Sequence, residues 1–233
     1  MHRYVLLLRG INVGGSKSIK MADLKKTLSN IKFKPSDDNN KSSSNNSSNT
    51  SSLNNSNNSD DSAGAVDNIQ KLQNIKSYLA SGNVIFDLNL KLLSNDERRL
   101  EEEITNILMK EFTFDVPVMI RHATEFHQII ANNPFYSVKE KKIDDLYICL
   151  LISKPQGELV ENMMKDNKDS YSPDEFEIVD STDAADATCC IYLRLKSGAA
   201  KTKLTNNMLE KKFKVNATSR NWKTMLELKK LLQ

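Results

Sequence analysis

Tyr4-Val5-Leu6-Leu7-Leu8 is an unbroken apolar run that leads straight into Arg9-Gly10-Ile11-Asn12-Val13-Gly14-Gly15. A strand without polar alternation is buried on both faces, so this run predicts a central strand. Gly10, Gly14 and Gly15 give the following loop access to positive φ and to close approach by another chain or a ligand. Such a loop can turn its N–H groups toward an anion, with Arg9 and Lys17 supplying charge beside it. Gly10 and Gly15 match the start of a G-x-x-x-x-G-K-[ST] phosphate loop, but the lysine comes one place late in Ser16-Lys17-Ser18. Helical spacing also begins only near Met21. Both registers speak against a nucleoside-triphosphate loop, which leaves a glycine-rich connection between strand and helix as the plainer reading.

Met21, Leu24, Leu28 and Ile31 recur at helical spacing and predict a helix over 21–30. Residues 36–62 then form a low-complexity tract. Eleven are Ser, nine Asn and four Asp, with Leu53 the only apolar side chain. A segment of this kind cannot bury enough surface to offset its ordering entropy, so it reads as a disordered insert in a surface loop. A short helix is expected over 66–72. Strands are expected over 75–79 and 84–88, joined by Ala80-Ser81-Gly82-Asn83, which is hairpin chemistry. Ser94-x-x-Glu97 reads as a capping box opening a helix over 95–110, with Leu100, Ile104, Ile107, Leu108 and Phe112 on one stripe. A strand over 116–120 contains Pro117, which places it at a sheet edge.

Strand, helix, strand, strand, helix, strand is the ferredoxin-like βαββαβ order: an antiparallel sheet with helices on one face. It fills residues 1–121. The remainder, 122–233, repeats the pattern without repeating the sequence. A connecting helix over 124–131 precedes a strand over 146–152, a helix over 158–165, and strands over 175–179 and 189–195. A helix over 203–213, a short strand over 214–218 and a tail helix over 221–232 follow. The expected fold is therefore α+β, with two ferredoxin-like subdomains and a C-terminal helix.

Charge is nearly balanced overall, with 33 basic and 30 acidic residues, but it is unevenly placed. Residues 194–233 hold eleven Lys/Arg against two acids, a net of +9, whereas 154–187 hold three Lys against ten acids, a net of −7. The C-terminal stretch can present a basic face to an anion, or can complement the acidic segment. Cys149, Cys189 and Cys190 show no ligand spacing, so neither zinc nor another metal is expected, and no cofactor motif appears. Free thiols fit a reducing compartment. The five-residue N-terminal apolar run is too short for a signal peptide or a membrane span, which makes a cytoplasmic location the expectation. Glu101-Glu102-Glu103 and Asp144-Asp145 read as solvated charge runs. His2, His122 and His127 stand beside no evident nucleophile, so local spacing supports no Ser-His-Asp or metal-carboxylate mechanism.

Several motifs occur together in a fixed order. They are Leu7-Leu8-Arg9-Gly10-Ile11-Asn12-Val13-Gly14-Gly15, Met21-x-x-Leu24, and Tyr78-x-x-Ser81-Gly82-Asn83-Val84-x-Phe86. Asn133-Pro134-Phe135, Lys203-Leu204 and Thr218-x-Arg220-Asn221-Trp222-x-Thr224 complete the set. The chain resembles the domain-of-unknown-function 1697 family over all but the Ser/Asn tract. The resemblance implies two α+β, ferredoxin-like subdomains and brings no established activity. The chain departs from the family's pattern in its long tract between the first helix and the second strand, in Thr202 before Lys203-Leu204, and in Lys196-Ser197-Gly198.

The residues with anion-binding chemistry are Arg9, Gly10, Asn12, Gly14, Gly15, Ser81, Asn83, Lys203, Arg220 and Asn221. An arginine fork suits phosphate or carboxylate, and Arg220-Asn221-Trp222 is expected to open the last helix, where anions are favoured. The alternative roles are structural: Asn221 or Thr218 as a cap, Trp222 in the core, and Arg220 paired with an acid. The leading expectation is a binding module for a phosphate-bearing ligand, nucleotide or nucleic acid, at the junction of the subdomains. One alternative is an enzyme acting on a small anionic metabolite. The other is a structural or interaction module in which the motifs lock the two parts together.

Overall fold

The computed structural model describes residues 1–13, 15, 17–36, 68–136, 143–165, 168–180 and 189–233. Apart from Ser36, the expected disordered insert over 36–62 lies outside the described residues, as does Gly14. The described chain is a mixed α+β fold of antiparallel sheets and six α-helices.

The first sheet is ordered β4 (Gln73–Tyr78), β5 (Asn83–Leu88), β1 (His2–Leu8), β6 (Val118–His122). Strand β1 is antiparallel to both neighbours, with Leu6 opposite Val84 on one side and Ile120 on the other. Its two faces enter two different cores. Tyr4, Leu6 and Leu8 pack with Leu24 and Leu28 of α1 (Met21–Ser29) and with Leu100, Ile104 and Leu108 of α2 (Ser94–Phe112). Val5 and Leu7 face the other way. This double burial explains the absence of alternation in Tyr4–Leu8. Pro117 sits just before the edge strand β6, where its missing N–H costs no ladder bond.

The second sheet is ordered β10 (Ala217–Asn221), β7 (Leu146–Leu151), β9 (Cys189–Arg194), β8 (Glu175–Asp180). Ile148, Leu150 and Tyr192 share a central core with Val5 and Leu7. That core also takes Phe126, Ile129 and Ile130 of α3 (Ala123–Ala131) and Trp222, Met225 and Leu228 of α6 (Trp222–Leu231). The opposite face of the second sheet, with Leu151, Ile191 and Leu193, packs on Met163 of α4 (Gly157–Lys165) and on Leu209 and Phe213 of α5 (Asn206–Phe213). The two sheets are thus held around one common hydrophobic core.

Four local expectations are corrected. Within the expected helix over 66–72, Gln70–Lys71 instead forms a short strand, β3, paired with β2 (Lys32–Phe33). Burial of Phe33 and Leu72 beside this ladder outweighs local helix propensity. Ser94 does not cap α2: Leu93 holds the N-cap position with no side-chain bond. Helix α5 starts at Asn206, with Thr205 accepting from the Met208 N–H, so Lys203 lies in the preceding loop. Strand β10 is displaced from 214–218 to Ala217–Asn221, because Lys214 adopts φ 56° and closes α5 through its N–H to Glu210. That shift puts Arg220 in a strand rather than at the start of the last helix.

Candidate functional site

The C-terminal end of β1, the hairpin between β4 and β5, and strand β10 meet at Arg220. The residue is 8 % exposed. Its Nε donates to Asn83 Oδ1 at 2.6 Å, and Nη1 donates to Thr218 Oγ1 at 2.6 Å and to the Ser219 carbonyl at 2.9 Å. Nη2 donates to the Leu8 carbonyl at 2.8 Å and, at 3.3 Å each, to those of Ser81 and Gly82. None of these acceptors is a carboxylate, contrary to the acid partner weighed from sequence. Burial lowers the Arg220 pKa to about 10, so the group still carries its charge at neutral pH. Carbonyl and amide dipoles, rather than a counter-ion, stabilise that charge.

The acceptors are themselves fixed. Asn83 donates through Nδ2 to the Tyr78 carbonyl at 2.9 Å and to Ser81 Oγ at 3.1 Å, which aims its Oδ1 at Arg220. Gly82 has φ +78°, and a Cβ placed there meets Leu8 Cβ at 2.6 Å. The hairpin therefore needs glycine for both its conformation and its close approach to β1.

Arg9 faces α5. It forms a bidentate pair with Glu210 through Nε and Nη2, and Nη2 also donates to Asn207 Oδ1 at 3.0 Å. Glu210 Oε1 additionally accepts the Ala217 N–H at 2.7 Å, tying α5 to β10. Asn12 closes its own loop by accepting from the Ile19 N–H at 2.9 Å and donating to the Ile19 carbonyl at 3.0 Å. The same amide donates to the Ala80 carbonyl at 2.7 Å, so loop and hairpin are joined. Gly10 and Gly15 have φ +66° and +78° with open space around them, so conformation alone calls for glycine there. Lys17 Nζ donates to the Asp115 carbonyl at 2.6 Å.

The geometry brings Arg220, Asn83 and Ser81 into one network, with Asn12 and Arg9 at its margins. It does not bring Lys203 there, since Lys203 Nζ donates to the Ser170 carbonyl at 2.8 Å. Asn221 Oδ1 accepts the Thr224 N–H at 2.8 Å and so serves as the N-cap of α6.

A second cluster escaped the sequence reading. Arg121 of β6 is buried, with Nη1 at 3.4 Å from Glu101 Oε1, Nε at 3.2 Å from Glu125 Oε1, and Nη2 donating to the Leu151 carbonyl at 2.8 Å. Glu101 is 4 % exposed and accepts the Ile120 N–H at 2.6 Å, which corrects its reading as part of a solvated run. Burial pushes its carboxyl up to about 7 and that of Glu97, one turn earlier, up to about 8. The available signal was spacing: Glu97 and Glu101 continue the stripe of Ile104 and Leu108. Cys149 is buried, and burial pushes its thiol up to about 12, which makes it an inert rather than a nucleophilic group. Among the described residues, no group of three or more His, Cys, Asp or Glu is placed to hold a metal ion. No helix of the described residues is long and apolar enough to cross a membrane.

Comparison with known proteins adds two findings. A family model described as "Protein of unknown function (DUF1697)" matches residues 1–36 and 58–182. A solved structure, that of conserved bacterial protein SP0830 from Streptococcus pneumoniae, is similar over 100% of this chain and 99% of its own, at 18% identity and a TM-score of 0.57. At that identity the likeness speaks for the fold alone. No curated protein matches the chain.

Proposed function

The chain belongs to the DUF1697 family of proteins of unknown function, and from that premise we propose that it is a binding scaffold. Two ferredoxin-like subdomains, residues 1–121 and 122–233, are fixed against each other by their shared polar motifs. The observation that carries this reading is the engagement of Arg220. A guanidinium has five N–H donors, and six acceptors surround this one. Leu8, Ser81, Gly82 and Asn83 belong to the first proposed subdomain and Arg220 to the second, so the network is a lock between them. The Arg9 pair with Glu210 spans the same boundary. The subdomain assignment draws support from strand order. In each sheet, counting the four strands in chain order, the sequence across the sheet is last, first, third, second.

A phosphate-bearing ligand at this junction, whether nucleotide or nucleic acid, would need donors that Arg9 and Arg220 already use. So would an enzyme site for a small anionic metabolite. The exposed, positive-φ glycines of the first loop favour the ligand reading. A thermal-shift panel of inorganic phosphate, nucleotides and single- and double-stranded nucleic acid at low salt separates the readings, because a ligand of the native state raises the midpoint. The scaffold reading expects no rise with any of them and a marked fall on Arg220→Ala. A rise that Arg220→Lys abolishes without loss of stability would overturn it.

A further inference from the structure

The C-terminal end of β1 collects four other segments. The Leu8 N–H donates to the Gly82 carbonyl at 2.8 Å and the Arg9 N–H to that of Pro117 at 3.0 Å. Asn12 reaches the Ala80 carbonyl, and Lys17 reaches that of Asp115. The Arg9 pair with Glu210 brings α5 to the same end. The first loop, the β4–β5 hairpin, the turn before β6 and helix α5 therefore form one assembled surface. Two large apolar side chains stand out from it: Val13 is 63% exposed and Leu79 is 54% exposed. Each neighbours one partner of the Asn12–Ala80 bond in sequence, so the two tips lie on joined loops and are not scattered singles. Leu79 also holds φ 59°, the left-handed region that favours glycine or asparagine. A leucine there carries backbone strain and gains little burial in return.

The same surface is basic. Residues 9–20, 76–83, 113–117 and 206–214 carry seven Lys/Arg against two acids, a net of +5. One of those acids, Glu210, is held by Arg9. Lys20, Lys76, Lys211 and Lys214 are exposed. Lys211 and Lys214 belong to the basic C-terminal stretch, which the lock at Arg220 leaves without a role. A partner must offer negative charge and an apolar phase over a small footprint. Two side chains fall far short of the ~800 Å² per partner of a stable protein interface. Nucleic acid supplies the charge, but Val13 and Leu79 have no aromatic face on which a base can stack. An anionic bilayer supplies both, because shallow apolar burial and attraction of lysines to headgroups add to each other. Among the described residues no helix can cross a membrane, so the contact is peripheral.

We propose that this end of the molecule docks on an anionic lipid surface, with Val13 and Leu79 entering the interfacial layer and the surrounding lysines lying against the headgroups. The inference reaches beyond the scaffold reading and leaves Arg220 aside.

The test is co-sedimentation of the full chain with vesicles of phosphatidylcholine alone and of phosphatidylcholine mixed with phosphatidylglycerol, at low and at high salt. Saturable binding to the mixed vesicles is expected, with little to phosphatidylcholine alone and a marked loss as salt rises. Leu79→Asn removes the apolar tip and suits the left-handed backbone, so it should lower partitioning by about tenfold without lowering the melting midpoint. Lys76→Glu combined with Lys211→Glu should lower partitioning to the mixed vesicles by about tenfold or more. Absence of binding to the mixed vesicles, equal partitioning of Leu79→Asn, or binding that ignores salt overturns the proposal. So does nucleic acid bound at this surface in place of vesicles. The stability of Arg220→Ala reads the lock and vesicle binding reads the docking surface, so failure of either idea is seen separately.

Discussion

Arg220 Nε donates to Asn83 Oδ1 at 2.6 Å, a bond between residues 137 positions apart that joins the edge strand of the second sheet to the hairpin of the first. Asn83 is fully buried and is itself held by the Tyr78 carbonyl. Asn83 has no access to water and Arg220 little, so solvent is a poor substitute for this bond. Removal of one partner from a buried charged network costs ~3–5 kcal/mol. Arg220→Ala should therefore lower Tm by about 10 °C for a chain of this size. A double-mutant cycle with Asn83→Ala, measured by urea denaturation, should return a coupling of about 1–3 kcal/mol. Additive effects would mean the bond contributes little.

The glycines of the two loops should respond unequally to the same change. At Gly82 an added Cβ meets Leu8 Cβ at 2.6 Å and the backbone has φ +78°, so Gly82→Ala carries both strain and a clash with a buried strand. Gly10 and Gly15 share the positive φ but have open space. Gly10→Ala should cost about 1 kcal/mol, the left-handed penalty alone. Gly82→Ala should cost about 3 kcal/mol, with overpacking added to that penalty. Chemical denaturation of the two variants side by side checks the order.

Glu210 holds Arg9 and the Ala217 N–H together, whereas Arg9 holds only side chains of α5. The pair is partly solvated, at 23% and 17% side-chain exposure, which screens its charge term. Arg9→Ala should accordingly cost about 1 kcal/mol. Glu210→Ala should cost about 2 kcal/mol, since it also leaves a backbone donor unpaired. Equal losses in equilibrium unfolding would show that the Ala217 bond carries no weight.

Glu97 and Glu101 have folded pKa values raised to about 8 and about 7 by burial, above the ordinary carboxylate value of 4.5. Protonation is thus favoured by folding. Their contribution is fully present below the unfolded pKa and is lost as pH rises through the folded values. Groups facing this pair are Arg121 of β6, Glu125 of α3, Arg98 of α2 and Lys91 before it. Replacing Glu97 by Gln should flatten the decline of Tm between about pH 5 and about pH 9, and so should Glu101→Gln. A parallel decline in parent and variants would assign the pH response to other groups.

Much of the fold was legible in the sequence because it rests on local patterns. An unbroken apolar strand, two amphipathic helices and a Ser-Gly-Asn hairpin each announce themselves within a few residues. The misread stretches were those where distant packing overrode local preference. Gln70–Lys71 became a strand because Phe33 and Leu72 were buried beside it. Strand β10 began three residues later than its composition implied, and with that shift Arg220 changed from a helix-start residue to a strand residue. At the junction, sequence marked Arg220 by residue type, while four of its six acceptors are backbone carbonyls, those of residues 8, 81, 82 and 219. Backbone carbonyls are identical at every position, so nothing in the chain advertises them.

The sequence by itself determined the order of the strands and helices of the two main sheets, the central place of β1 and the α+β class, since each follows from periodicity and turn chemistry. Only the tertiary structure decided that the two sheets share one core, that Arg220 is spent on Asn83, Thr218 and four carbonyls, and that Glu101 is buried. Those outcomes depend on which groups meet across more than a hundred residues. That is set by the joint burial of many side chains and by no single stretch of the chain.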